Sequence, residues 1–205
     1  MYVPAHFAAS DADVAALLDG AHVVDLVTHT TAGLVATPLP MLLDSSALLG
    51  HVARNNPHWQ AEPASESMVI AHGPEAYVSP SWYASKREHG RVVPTWNYLI
   101  AHVYGELVVH DDVEWLRGLV TRLTERHEAG LAHPWAVTDA PAKFIDGQLR
   151  AIVGVELRIT RIEAKAKLSQ NRPPADRDGV IAGLDGHPIA DLIRDHDQDV
   201  QPGPM

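Results

Sequence analysis

The stretch Gly50-His51-Val52-Ala53-Arg54-Asn55-Asn56 has the residue types that grip a phosphate. A phosphate monoester carries nearly two negative charges and several acceptor oxygens. It is held by an Arg fork, short polar donors and exposed backbone N–H groups. A glycine-led turn with His51, Arg54, Asn55 and Asn56 supplies all three. A solvated loop with a surface arginine would use the same residues. Two other segments, Ala76-Tyr77-Val78-Ser79-Pro80-Ser81-Trp82-Tyr83 and Val93-Pro94-Thr95-Trp96-Asn97-Tyr98, interleave aromatic rings with Ser, Thr and Asn. Only 6% of the chain is Phe, Trp or Tyr, so five rings in two short segments are a real concentration. A flat heteroaromatic ligand takes such walls and such a polar rim. A barrel core or a subunit interface takes them equally well. The last candidate is Lys165-Ala166-Lys167-Leu168-Ser169-Gln170-Asn171-Arg172. It reads as a basic strand end closed by a turn, or as a polar arm that reaches a ligand.

Other chemistries lose support. The chain has no GxGxxG, P-loop, GxSxG or HExxH pattern. Its 13 histidines include no helical i,i+4 pair around an acidic residue, and His127, Glu128 and His133 come nearest. No metal site is expected. With 26 acidic against 16 basic residues, the net charge of −10 disfavours direct nucleic-acid binding, which needs clustered cations. Arg161, Lys165, Lys167 and Arg172 form the best local basic face. The absence of cysteine excludes disulfides and thiolate metal sites. No apolar run suits a membrane span, and the start MYVPAHFAASDAD lacks the pattern of a secretory leader. A cytoplasmic protein is expected.

The elements that would position these residues follow from periodicity. Ser10 with Asp13 resembles a capping box before a helix over 11–19, which Gly20 ends. Strands are expected over 22–30 and 33–43, with Pro38 and Pro40 marking either a protected edge or a ligand-facing strand. Residues 48–59 are expected to be a loop or short helical turn. Short strands at 67–71 and 75–79 are joined by a turn at His72-Gly73-Pro74, and 92–109 is mostly strand. Asp111 with Glu114 caps a helix reaching about Glu128. Pro141 starts another that carries Phe144, Ile145, Leu149 and Ile152. Val155, Leu157 and Ile159 alternate as a half-buried strand. Two helices follow Pro173-Pro174, and the final QPGPM should fray. Strands arriving in consecutive runs favour an antiparallel barrel with peripheral helices over a doubly wound sheet.

GHVARNNPHW, YVSPSWY, VPTWNY and KAKLSQNR, in this order and after MYVPAHF, resemble the PaiB family of FMN-binding proteins, named as negative transcriptional regulators. The resemblance covers roughly residues 1 to 185 and implies a mainly β, α+β fold. That fold is an antiparallel split β-barrel of the FMN-binding type, paired as a homodimer with the small-molecule flavin at the interface. It implies a barrel domain over 1–165 and a C-terminal helical extension over 166–205 packed on the barrel. Carried over by position, Thr37, Pro38 and Leu39 lie along the ring, while His51, Val52, Ala53, Arg54 and Asn56 form the phosphate segment. Ser79, Trp82, Tyr83, Thr95, Trp96, Asn97, Lys167, Gln170 and Asn171 complete the cofactor contacts, some from a partner subunit. No catalytic residue is assigned, and His29, His51 and Tyr83 are the groups to test. The family's regulatory role is expected to be indirect, through flavin or ligand state. A flavin- or deazaflavin-dependent oxidoreductase of small molecules is the alternative, and a non-flavin carrier such as a haem protein is the third possibility.

Overall fold

The computed structural model describes residues 1–20 and 23–199. The expected strand start at His22 and the terminal QPGPM lie outside the described residues. Seven strands build one sheet: β1 (Val24–Thr30), β2 (Gly33–Leu39), β3 (Met41–Asp44), β4 (Ala47–Ala53), β5 (Ser67–Val78), β6 (Thr95–His110) and β7 (Ile152–Lys167). Their order is β2-β1-β5-β6-β7-β4-β3, and β1 pairs antiparallel with β2 and β5, as β4 does with β3 and β7. Among the described residues six α-helices accompany them: α1 (Asp11–Gly20), α2 (Ser85–Glu88), α3 (Val113–Glu128), α4 (Ala142–Leu149), α5 (Pro174–Gly183) and α6 (Pro188–Asp199).

The two edge strands, β2 and β3, are consecutive in the chain and separated only by Pro40. In a flat sheet six strand spacings would hold them about 29 Å apart, whereas one residue spans about 3.5 Å. The sheet therefore curls until its edges meet, as the antiparallel barrel expectation requires. The expected single strand over 33–43 is two strands because Pro40 interrupts it.

The chain divides into two compact units. Unit 2 comprises Leu18–Ala71 and His102–Ile162. One face of α3 is buried there through Leu116, Leu119 and Leu123. Leu119 and Leu123 pack with Leu42 of β3 and Leu49 of β4, while Leu116 packs with Ile145 and Leu149 of α4. Unit 1 comprises Met1–Leu17, His72–Ala101 and the chain from Glu163 onward. Its buried side chains include Leu168 after β7, Val180 of α5, and Ile189 and Ile193 of α6. The helices α1, α3, α5 and α6 stand where periodicity placed them. Ser10 caps α1 as expected: its hydroxyl accepts from Asp13 N at 3.1 Å, and its own N–H donates to the Asp13 carboxylate at 2.8 Å.

Four local expectations are corrected. Residues 47–53 are strand β4 rather than loop, because they pair with β3 on one side and β7 on the other. Two ladders outweigh the turn-forming composition of Gly50-His51. Residues 67–78 form one unbroken strand, with no turn at His72-Gly73-Pro74. Gly73 is there for close packing, since a Cβ on it would stand 3.0 Å from Leu99 O and 3.1 Å from Leu17 Cδ1. Asp112, not Asp111, caps α3, accepting from Trp115 N at 2.8 Å. Ile152 opens β7 instead of closing α4.

Candidate functional site

The residues singled out from the sequence fall into two groups, one in each unit. In unit 2, β2 carries Thr37, Pro38 and Leu39, and β4 carries His51, Val52 and Ala53, with Arg54 and Asn56 just beyond. Leu39 and Val52 are buried, so only their backbone is free to meet a ligand. Thr37 and Asn56 are fixed by a chain of polar groups that ends in the interior. Asn56 Nδ2 donates to Thr37 Oγ1 at 3.2 Å, and Asn56 Oδ1 accepts from His58 N at 2.9 Å. Thr37 Oγ1 bonds His58 Nδ1, and His58 Nε2 bonds Thr28 Oγ1, both at 2.8 Å. Thr28 Oγ1 in turn bonds Ser67 Oγ at 2.8 Å.

His58, Thr28 and Ser67 are all buried, and burial lowers the His58 pKa below its ordinary value, which keeps the ring neutral. A neutral imidazole has one donor and one acceptor nitrogen, so the chain has a direction. If Nε2 carries the proton, the Thr37 hydroxyl is spent donating to Nδ1. If Nδ1 carries it, the Thr37 proton is free for a ligand. His58 lies inside the GHVARNNPHW segment but is not among the contacts that the resemblance implies. Nothing in its spacing shows that a strand threonine meets each ring nitrogen.

Arg54 is committed within its own chain. Nε donates to Arg150 O at 2.7 Å, Nη2 to Ile152 O at 3.0 Å, and the two Nη groups to Asp111 Oδ2 and Oδ1 at 3.0 and 2.5 Å. These bonds use four of its five N–H groups. They raise the guanidinium pKa and hold the Asp111 carboxyl below its ordinary range. His51 differs. Its Nδ1 is buried with no hydrogen-bond partner among the described residues, and burial lowers the ring's pKa.

In unit 1, Ser79 caps the short turn Pro80–Trp82 by accepting from Ser81 N at 3.2 Å. The Trp82 ring lies on α5, where a Cβ on Gly183 would fall 2.3 Å from its Cδ2. Trp96 is 51% exposed and meets Tyr77 edge-on, with ring centroids 6.0 Å apart. Asn97 is buried and exchanges hydrogen bonds with the Ser169 hydroxyl at 3.0 and 3.2 Å. Ser169 holds a left-handed φ of 67° at the turn that ends β7. Gln170 closes that turn: Oε1 accepts from Leu168 N at 2.7 Å, and Nε2 donates to Ala166 O at 2.6 Å. Lys167 Nζ donates to Thr95 Oγ1 and, at 2.9 Å, to Trp96 O.

Thr95, Asn97, Lys167, Ser169, Asn171 and Arg172 line one cavity of about 200 Å³ together with Tyr83. The structure thus gathers Tyr83, Thr95, Asn97, Lys167 and Asn171 around one space. Ser79, Trp82, Trp96 and Gln170 are not among its lining residues. Arg172 is the end of the basic face read from the sequence, and Ser169 stands beside it in the KAKLSQNR segment, although neither is among the cofactor contacts that the resemblance implies.

FMN presents a flat tricycle with a polar edge, a polyol and a phosphate dianion. Unit 2 by itself offers an orphaned buried nitrogen, strand backbone and the polar side chains of Thr37 and Asn56. The donor chemistry fits the cofactor.

The family model described as Putative FMN-binding domain matches residues 1–161. The chain is 34% identical over 190 residues to the protease synthase and sporulation protein PAI 2 of Bacillus subtilis, covering 90% of this chain and 89% of that one. Two solved structures share the fold at low identity. One is the flavocytochrome Anf3 of Azotobacter vinelandii, with TM-score 0.58, 13% identity, and coverage of 77% of this chain and 67% of that one. The other is the conserved hypothetical protein Rv2991 of Mycobacterium tuberculosis, with TM-score 0.58, 12% identity, and coverage of 84% and 94%. The matching span, the curled seven-stranded sheet and the four motifs agree, and the chain belongs to the Putative FMN-binding domain family, the PaiB-type flavoproteins of the split-barrel fold.

Proposed function

We propose that the chain works as an FMN-loaded homodimer, a PaiB-like regulator that responds to flavin or ligand state and does not itself grip DNA. The observation that carries the cofactor reading is His51 Nδ1, a buried nitrogen with no hydrogen-bond partner among the described residues. An unmet buried polar group costs about 1–3 kcal/mol, which a ligand bond at that atom would recover. His51 stands on β4 in the segment whose pattern suggested the cofactor, and Thr37 and Asn56 are held in fixed rotamers by the His58 chain. In this reading the backbone of Thr37, Pro38 and Leu39 faces the ring. His51 and Asn56 bind the polar groups, and Val52, Ala53 and Arg54 shape the segment. FMN, when bound, supplies hydride and single-electron chemistry of its own, and the protein's part is to bind and orient it.

The dimer reading is supported by exposed apolar groups on unit 1, where Val93 is 65% and Trp96 51% exposed. The indirect mode is supported by the net charge of −10.

The test is a titration of purified protein with FMN, read by the visible spectrum and by quenching of flavin fluorescence. Saturable uptake is expected, weakened about tenfold in His51→Leu. Size-exclusion chromatography with light scattering is expected to give twice the chain mass, and Trp96→Asp the single mass. Absence of FMN uptake would overturn the cofactor reading. Efficient steady-state turnover of reduced nicotinamides would replace the regulator with the oxidoreductase. Salt-steep binding to promoter DNA would overturn the indirect mode.

A further inference from the structure

In a chain with net charge −10, most arginines of unit 2 are matched to carboxylates, as in Arg54–Asp111, Arg117–Asp146 and Arg122–Asp44. The end of β7 is different. Among the described residues no carboxylate pairs with Lys167 or Arg172. Both line the same cavity in unit 1, with Thr95, Asn97, Ser169 and Asn171. Asp176, a buried acid whose charge reaches Tyr83, does not line the cavity and is held by Ser85: its carboxylate accepts from Ser85 N and Ser85 Oγ, each at 2.9 Å.

Tyr83 adds an independent sign. It is 1% exposed and lines the cavity, and among the described residues its hydroxyl finds no acceptor for its proton. Arg172 lies over its ring, 4.7 Å from the centroid. Burial raises the phenol's pKa, Arg172 opposes this and the Asp176 carboxylate adds to it, so at neutral pH the group is an O–H donor. Lys167 has its pKa lowered, first by burial and then by the charges of Lys165 and Arg172. Two cations and an unmet donor at one concave wall are mutually unfavourable until an anion arrives.

We propose that this cavity is a phosphate-monoester site, in which Lys167 and Arg172 meet the dianion and Tyr83 Oη donates to it, with Thr95, Ser169 and Asn171 at the rim. At about 200 Å³ the cavity falls below the size of sites that enclose a drug-sized ligand, so it takes a phosphate end and not a whole flavin. This goes beyond the cofactor contacts proposed for unit 2 and does not rest on them. Two sources share the chemistry: the terminal phosphate of FMN, and a separate small phosphorylated ligand.

The experiment compares wild type, Arg172→Gln, Lys167→Gln and Tyr83→Phe, the last removing one oxygen only. Each is titrated with FMN, with riboflavin and, in flavin-free protein, with inorganic phosphate by calorimetry, while melting curves confirm folding. If the site takes the FMN phosphate, the charge variants weaken FMN about ten- to hundredfold and leave riboflavin unchanged. Tyr83→Phe then weakens FMN several-fold. If the site takes a separate ligand, flavin binding is unchanged and saturable phosphate binding disappears in the charge variants. Folded variants that alter neither FMN nor phosphate binding would overturn the proposal. Wild-type protein that takes up no flavin would remove the cofactor reading alone, because the phosphate arm is read separately.

Discussion

Asp111 receives both Nη groups of Arg54, at 3.0 and 2.5 Å, so the arginine chosen from the sequence as a phosphate ligand is already paired with a carboxylate. The pair ties the end of β4 to the entry of α3 within unit 2, and two backbone carbonyls complete the arginine's shell. Both side chains are partly exposed, and exposed pairs contribute little to stability.

Asp111→Asn is therefore expected to leave the melting temperature nearly unchanged at neutral pH. Its pH dependence carries the sign of a depressed acid. The folded pKa lies below the unfolded one, so the stabilisation is present above the ordinary aspartate range and is lost as pH falls through the folded value. Acid unfolding of wild type is expected to steepen there, and that of the variant to steepen less. The same variant also tests Arg54. If the arginine serves FMN, freeing it alters FMN affinity, whereas Arg54→Ala lowers it about tenfold or more. Identical FMN titrations in both variants would leave Arg54 a structural clamp.

His58 is the strongest lever on stability among the candidate residues. His58→Ala removes the partner of Thr28, which is fully buried, and of Thr37, so a loss of about 2–4 kcal/mol is expected in denaturant unfolding. The ring's folded pKa lies below the ordinary 6.5, so the unfolded chain binds protons more readily. Its stabilisation is complete above about pH 6.5 and declines as pH falls from there towards the folded value. Burial of His51 acts in the same sense. Stability measured from pH 8 to 5 should fall, and fall less in His58→Asn. A profile flat between these limits would contradict the buried neutral ring.

Gly179→Ala inverts the usual helix rule. In an ordinary helix interior the change is worth up to about 1 kcal/mol of stabilisation. Here the new Cβ would stand 2.0 Å from Trp82 O, a backbone atom that cannot swing aside. A destabilisation of about 1–3 kcal/mol is expected, with altered tryptophan fluorescence. Unchanged stability would mean that α5 does not pack on Trp82 as described.

Much of the protein was legible in the chain itself. The helical stripes of α3 and α6, the Ser10–Asp13 cap, and the alternation of Val155 and Leu157 are local signals: a period of 3.6 or 2 needs no knowledge of distant residues. The four motifs and their order were enough to point to the family. What the chain could not display was decided by partners far away in sequence. Gly50-His51 became strand because β3 and β7 flank it, and His72-Gly73-Pro74 stayed extended because Leu99 packs against Gly73. Arg54 met Asp111 across 57 residues, and His58 met Thr28 across 30. Among the described residues Arg172 has no carboxylate partner and lies over the Tyr83 ring. Hydrogen-bond saturation and charge pairing belong to three-dimensional neighbourhoods, so only the tertiary structure could separate an arginine held by a carboxylate from one that is not.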